Sequence, residues 1–332
     1  MTFLITGVAG FIGYSLAERL LARGEAVIGI DNLNDYYDPN LKKARIKDLA
    51  DRHGNQFTFR LVDFSDELAL EKALDDIPFA SIAHLGAQAG VRYSIDNPRA
   101  YVRSNLVGHL NMLEVARARN TPMVYASSSS VYGGNVQLPF SVEDRVDHPI
   151  SLYAATKRAD ELMSETYAHL YRMPLTGLRF FTVYGPWGRP DMAMWMFTRD
   201  ILAGRPIRVF NQGRMKRDFT YIDDIISGVV ACLDTPPPDD GAIKAGGSKE
   251  PHRLYNIGNN KSEELMDMIA MIEAECGRKA EFDFQPMQAG DVPESHANID
   301  AISNDLGYAP TTPISAGVPR FVNWYKSFHG LR

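Results

Sequence analysis

The chain has 332 residues, 45% hydrophobic and 23% charged, the proportions of a globular protein with a large core rather than a disordered or fibrous one. A formal net charge of −6 argues against a broad nucleic-acid-binding surface, so an anionic ligand has to be met locally by a few arginines and backbone N–H groups. Two cysteines, Cys232 and Cys276, make neither a disulfide framework nor a zinc cluster and fit a reducing, cytoplasmic setting.

The opening MTFLITGVAGFIGYSLAERLL is apolar, yet it has no basic n-region, is broken by three glycines and reaches Glu18 and Arg19 before it could span a bilayer. No other stretch is a membrane candidate. Apolar runs FLIT (3–6), AVIGID (26–31), FTFRLVD (57–63), SIAHL (81–85) and MVYASS (123–128) read as strands apolar on both faces. Helical patterns at 15–24 and 107–119 lie between them, and LTGLRFF (175–181) reads as a sixth strand. This alternation predicts an α/β fold, a doubly wound parallel sheet with right-handed crossovers.

After residue 185 the rhythm changes. MWMFTRDILAG (194–204) reads as a helix, RDFTYIDDIISGVVACL (217–233) as a strand feeding a helix, and PPPDDGAIKAGGSKEP (236–251) as an exposed loop. YNIGN, a helix at 262–276, EFDFQ (281–285) and a last helix near 314–328 complete the chain. The expected organisation is a dinucleotide-binding domain over 1–185 and a smaller α/β substrate lobe over 186–332, with chain crossings between the two.

TGVAGFIG (6–13) follows the first strand and opens the first helix. Gly7 suits a tight turn, Gly10 a close approach to a pyrophosphate, and Gly13 close helix–strand packing, while the helix N-terminus offers N–H donors and positive dipole. Asp31 ends the next strand 18 residues after Gly13, about where a carboxylate meets an adenosine ribose. A carboxylate accepts from a 2′-hydroxyl and repels a 2′-phosphate, and NLNDYY after it carries no arginine, so NAD is expected over NADP. Asp63 ends the third strand, where it could meet the adenine edge or simply cap the strand.

SLYAATK (151–157) sets Tyr153 and Lys157 four apart, on one face of a helix. Beside a nicotinamide, a Tyr can act as acid or base if a nearby ammonium favours its phenolate. The serine run YASSSSVYG (125–133) follows the fifth strand, so its hydroxyls sit at the carboxyl edge of the sheet, where such folds bind ligands.

TGxxGxxG, the serine-rich strand end and YxxxK together resemble the signature of the extended short-chain dehydrogenase/reductase family, over essentially the whole chain. The resemblance implies a Rossmann fold, NAD as cofactor, Tyr153 as catalytic base, Lys157 as its partner and Ser128 beside the reacting oxygen. Ser128 is chosen because it lies 25 residues before Tyr153 and five before Gly133. It further implies cofactor contacts from Gly7, Gly10, Phe11, Ile12, Gly13, Asp31, Asn32, Asp63, Phe64, Leu85, Tyr153 and Lys157.

Flanking residues narrow the choice. Sugar-nucleotide dehydratases of the family have Asp and Glu after the active hydroxyl, and decarboxylases usually keep a Glu before Val-Tyr-Gly; here the positions are Ser129 and Ser130. UDP-galactose 4-epimerases have an Asn after the sixth strand and Arg-Pro-Gly-Asp near the C-terminus, where this chain has Thr182 and QAGD (288–291). DNLNDYYDPNLKKARI, AQAGVRYSIDNP, SLYAATK, LRFFTVYGPWGRPDMA and RDFTYIDDI resemble the group that epimerises UDP-glucuronate at C4, with Gly86 and Ala289 as small departures. UDP-glucose epimerisation and UDP-glucuronate decarboxylation are the alternatives.

A 4-keto uronic acid loses CO2 readily, so its carboxylate must be held firmly. Arg189 offers a bidentate fork for it, with Thr182 and Ser129 or Ser130 as neutral donors, while Ser128 meets the substrate at the reacting oxygen. The resemblance makes Arg217 the candidate for the substrate diphosphate and implies substrate contacts from Val209 and Asp291; Arg92 suits either phosphate or carboxylate. None of the eight histidines has metal-ligand spacing, so no metal is expected. Family likeness implies a homodimer through helices near 97–119 and 152–171.

Overall fold

The computed structural model describes residues 1–75, 77–288 and 290–331; the departure at Ala289 lies outside them. In chain order the first half runs β1 (Thr2–Thr6), α1 (Phe11–Ala22), β2 (Ala26–Asp31), α2 (Pro39–His53), β3 (Phe57–Leu61), α3 (Glu67–Leu74) and β4 (Ser81–His84). Short helices α4 (Tyr93–Asp96) and α5 (Pro98–Tyr101) lead through a π-helical turn at 102–107 into α6 (Gly108–Arg119), then β5 (Met123–Ser128), α7 (Leu152–Tyr171) and β6 (Leu175–Phe180). There follow β7 (Thr182–Tyr184), α8 (Ala193–Ala203), β8 (Ile207–Phe210), β9 (Lys216–Tyr221), α9 (Ile222–Asp234), β10 (His252–Ile257), β11 (Ser262–Glu264), α10 (Leu265–Cys276), β12 (Phe282–Gln285), α11 (Asp300–Leu306) and α12 (Ile314–Phe328).

Seven strands form one parallel sheet in the order β10-β6-β5-β4-β1-β2-β3. β4 and β6 are buried throughout, and β1 and β5 are buried except at Thr2 and Ala126, as apolar runs covered on both faces require. β3 departs from that expectation: as the edge strand it leaves Thr58 and Leu61 exposed. The first three residues of the YNIGN run, Tyr255–Ile257, end β10, which pairs with β6 and makes the seventh strand, so the chain returns to the main sheet long after residue 185. Helix α9 returns with it and packs against α1.

The rest of the second half carries two small sheets, β11-β9-β7 and β12-β8, above the carboxyl ends of the main strands. The order reverses between β1 and β4, the switch point where ligands of such sheets sit. Among the described residues, no helix is long and apolar enough to cross a membrane.

Candidate active site

The turn after β1 is built from main chain. Gly7 has φ +69°, and a Cβ there would lie 2.7 Å from Gly86 Cα, so the turns after β1 and β4 are in backbone contact. A Cβ on Gly13 would lie 2.2 Å from the Gly7 carbonyl oxygen. Helix α1 therefore starts hard against the sheet, with Gly10 as a cap that has no side chain to occupy the first N–H groups. Gly86 has its own reason: a Cβ would meet Phe64 Cε1 at 2.6 Å and Thr6 Oγ1 at 2.9 Å.

Asp31 is buried at the end of β2 and accepts from the Leu33 N–H (2.8 Å) and the Ala9 N–H (3.2 Å). An unobstructed turn, uncapped helix N–H groups and a ribose-level carboxylate are what a dinucleotide needs, and these residues fit one. Lys42 of α2 also faces this region; its Nζ donates to Asn34 O and Oδ1, both at 2.7 Å. Asp63 stands outside the cavity lining, held by the Ser65 N–H and hydroxyl, Asn32 and Arg103. Burial raises its pKa, but those partners outweigh it and leave the carboxyl below its usual range.

Ser151 caps α7, its hydroxyl accepting from the Ala154 N–H at 3.1 Å, and Tyr153 follows in the first turn. Tyr101 stacks edge-on to Tyr153, with centroids 6.0 Å apart. The helix is fastened to the sheet by a buried pair: Arg179 of β6 donates to both oxygens of Glu161 at 2.8 and 2.9 Å, and Ser127 of β5 donates to Glu161 at 2.6 Å. Removing one partner would strand a buried charge, costing about 3–5 kcal/mol. Asn105, in the π-helical turn, adds a second anchor by bonding Gln88 N and O and the Thr156 hydroxyl. Lys157 is buried below Tyr153 and donates to Ala126 O at 2.8 Å. Ser128 ends β5, its hydroxyl accepting from the Ser130 N–H.

One cavity of about 850 Å³ joins these groups. The glycine turn, Phe11, Ile12, Asp31, Asn32, Phe64 and Leu85 line one end; Ser128, Ser129, Ser130, Tyr153, Lys157, Thr182 and Arg189 line the middle; Arg92, Arg217 and Asp291 line the other end. Val209 does not join them. Along β8, Ile207 and Val209 are buried in the core, while Arg208 and Phe210 reach the cavity, as the two-residue period of a strand dictates.

Arg189 also differs from expectation. Its Nε donates to Asp191 Oδ1 at 3.0 Å and its Nη2 to Asp191 Oδ2, so the bidentate edge is already engaged. Tyr36 donates to the same carboxylate at 2.9 Å. Two of the five guanidinium N–H groups are thereby used to aim the side chain, leaving others to meet a ligand. Arg217 pairs with Asp291 at 2.7 Å, and Arg92 lies over the Phe210 ring, 4.0 Å from the other Asp291 oxygen. Arg92 thus falls with Arg217, at the far end.

Sequence reasoning missed Tyr36, Lys42 and Asp191 as individual residues, although the DNLNDYYDPNLKKARI and RPDMA stretches contain them. Their roles rest on contacts across the fold: Tyr36 meets a residue 155 positions away.

A doubly wound sheet with a glycine turn at its switch point and a Tyr–Lys pair at its carboxyl edge defines an extended short-chain dehydrogenase/reductase. A family model described as GDP-mannose 4,6 dehydratase matches residues 4–321, and the chain belongs to that family. Protein CapI of Staphylococcus aureus is 47% identical over 335 residues, with 99% of each chain covered. UDP-glucuronate 4-epimerase 4 of Arabidopsis thaliana is 47% identical over 338 residues, 99% of this chain and 76% of the plant protein. Among solved structures, UDP-glucuronic acid 4-epimerase from Bacillus cereus in complex with UDP-glucuronic acid and NAD superposes with a TM-score of 0.88 at 33% identity, covering 99% of this chain and 100% of that one.

Proposed function

We propose that this chain catalyses the NAD-dependent C4 epimerisation of UDP-glucuronate to UDP-galacturonate. The observation that carries the reading is the single cavity, in which a dinucleotide cradle and an arginine-lined lobe meet at Tyr153 and Lys157. The likeness to the plant and Bacillus cereus epimerases supports the same substrate.

Tyr153, as phenolate, takes the proton from the sugar 4-hydroxyl, and Ser128 hydrogen-bonds the same oxygen. NAD, when bound, supplies the hydride acceptor for C4 and the donor for its return. Lys157 favours the phenolate and holds the cofactor ribose. Arg217 and Arg92 anchor the diphosphate, so the 4-keto sugar turns about that anchor and is reduced on its opposite face. Arg189, aimed by Asp191, and Thr182 with Ser129 and Ser130 hold the carboxylate against loss of CO2. Ser129 and Ser130 offer no carboxyl to protonate a leaving hydroxyl, which sets this site apart from the dehydratase for which the family model is described.

The same reading makes the protein a cytoplasmic homodimer. Val107 at the end of the π-helical turn, Leu110 in α6, and Leu162 and Leu170 in α7 are exposed, an apolar surface suited to a four-helix contact. Light scattering should give a mass near twice 37.0 kDa; a monomer would remove that part.

Proton NMR of the purified protein with UDP-glucuronate and no added NAD tests the function. UDP-galacturonate should appear as the sole product, and Tyr153→Phe should lower turnover by at least about a thousandfold with fold and bound cofactor intact. A pentose product would reassign the chain to decarboxylation, and conversion of UDP-glucose alone would overturn the carboxylate site.

A further inference from the structure

Asp160 lies one turn beyond Lys157 and two beyond Tyr153 on α7, and the proposed chemistry makes no use of it. Its side chain is fully buried, and Oδ2 is 3.1 Å from Lys157 Nζ, itself only 3% exposed. With Ala126 O also accepting from Nζ at 2.8 Å, two of the three ammonium N–H groups are held from behind, and one remains for the cavity. Asp160 Oδ1 is buried with no hydrogen-bond partner among the described residues. A buried carboxylate with one oxygen unpaired is an expensive feature for a merely structural contact.

We propose that Asp160 is a positioning residue for Lys157, holding its ammonium from behind and setting how strongly that charge favours the Tyr153 phenolate. This rests on the reading of Tyr153 as the base. With Asp160 ionised, the Lys157–Asp160 pair carries no net charge; with Asp160 neutral, the pair presents a full positive charge beneath Tyr153.

The other ionisable groups around α7 are silenced or matched. On α7 itself, Glu161 is paired with Arg179 of β6 and with Arg158, and Glu165 with His252 of β10. From β4, His84 is pushed down to about 3 by burial and by the Lys157 charge, and from α6, His109 is held well below its usual value by burial and by His84. Tyr125 of β5 is raised well above its usual value by burial and Glu161, and stays neutral. Asp160 is different: its carboxyl faces the Lys157 ammonium directly at 3.1 Å, and burial raises its pKa against the pull of that charge.

The test is the pH dependence of kcat/KM for UDP-glucuronate in wild type and Asp160→Asn, an isosteric change that keeps the acceptor for Nζ and removes the charge. Without the carboxylate, the ammonium is uncompensated, so the phenol should ionise more readily and the acidic limb should move down by about one pH unit. A limb that stays in place overturns the proposal, including when the rate falls uniformly at every pH, as a purely structural role would produce. Should Asp160→Asn fail to fold, Asp160→Ser carries the same comparison with the same two outcomes. Tyr153→Phe separates the failures: an active Tyr153→Phe enzyme removes the reading of Tyr153 itself. An inactive one beside an unmoved limb removes only the role of Asp160.

Discussion

At the nucleotide end of the cavity the working surface is main chain, packed so closely that Gly7, Gly13 and Gly86 have no room for a Cβ. At the sugar end it is side chains gathered from distant segments: Arg92 before α4, Thr182 in β7, Arg189 and Asp191 before α8, Arg217 in β9 and Asp291 after β12. A pyrophosphate is recognised by N–H groups that any residue carries, so its site is specified by what must be absent. A uronic acid and a diphosphate need charge at given points, so their site is specified by which side chains are present and what aims them.

That contrast can be broken in order of expected effect. Gly13→Ala should be the most severe, because the new Cβ would sit 2.2 Å from a backbone oxygen that has nowhere to go. A loss of more than about 4 kcal/mol, or protein purified without dinucleotide, is expected. A thermal melt and assay of released NAD would read it, and a stable, loaded variant would show that the turn has slack. Arg189→Ala should be milder and confined to the sugar end. Bound NAD and melting temperature should hold, while KM for UDP-glucuronate rises about ten- to hundredfold and pentose appears among the products. Unchanged KM with no pentose would place the carboxylate elsewhere. Tyr36→Phe sharpens the comparison most finely, since it removes only the hydroxyl that steadies Asp191. A two- to fivefold rise in KM with kcat kept corresponds to about 1 kcal/mol or less for one hydrogen bond; a fall in kcat instead would put Tyr36 closer to the chemistry.

Much of the nucleotide end is legible in the order of residues alone. The expected runs 26–31 and 123–128 coincide with β2 and β5, and the patterns near 152–171 and 314–328 coincide with α7 and α12. Gly7, Gly10, Gly13 and Asp31 can be assigned because turn, helix start and strand end lie within one stretch of chain. Tyr153 and Lys157 are legible for the same reason: they are neighbours on one helix.

The sugar end is less legible. Val209 is expected at the substrate, but a one-position difference in phase along β8 buries it and turns Phe210 and Arg208 to the cavity. Arg189 stands out in its loop, yet neither its partner Asp191 nor the Tyr36 contact behind both does. Arg92 suits phosphate and carboxylate equally by residue type, and its approach to Asp291 is what sets it beside Arg217.

By itself, the amino-acid sequence determined the alternation of strand and helix, the glycine turn and the Tyr–Lys face, because hydrophobic period, glycine spacing and i, i+4 geometry are local properties of a chain. Only the tertiary structure decided that β10 returns to complete the main sheet, that Arg189 is aimed by Asp191, and that Asp160 stands unpaired on one side behind Lys157. Those features depend on burial and on contacts between distant segments, and a local pattern carries no record of which distant group will remove water from a given charge.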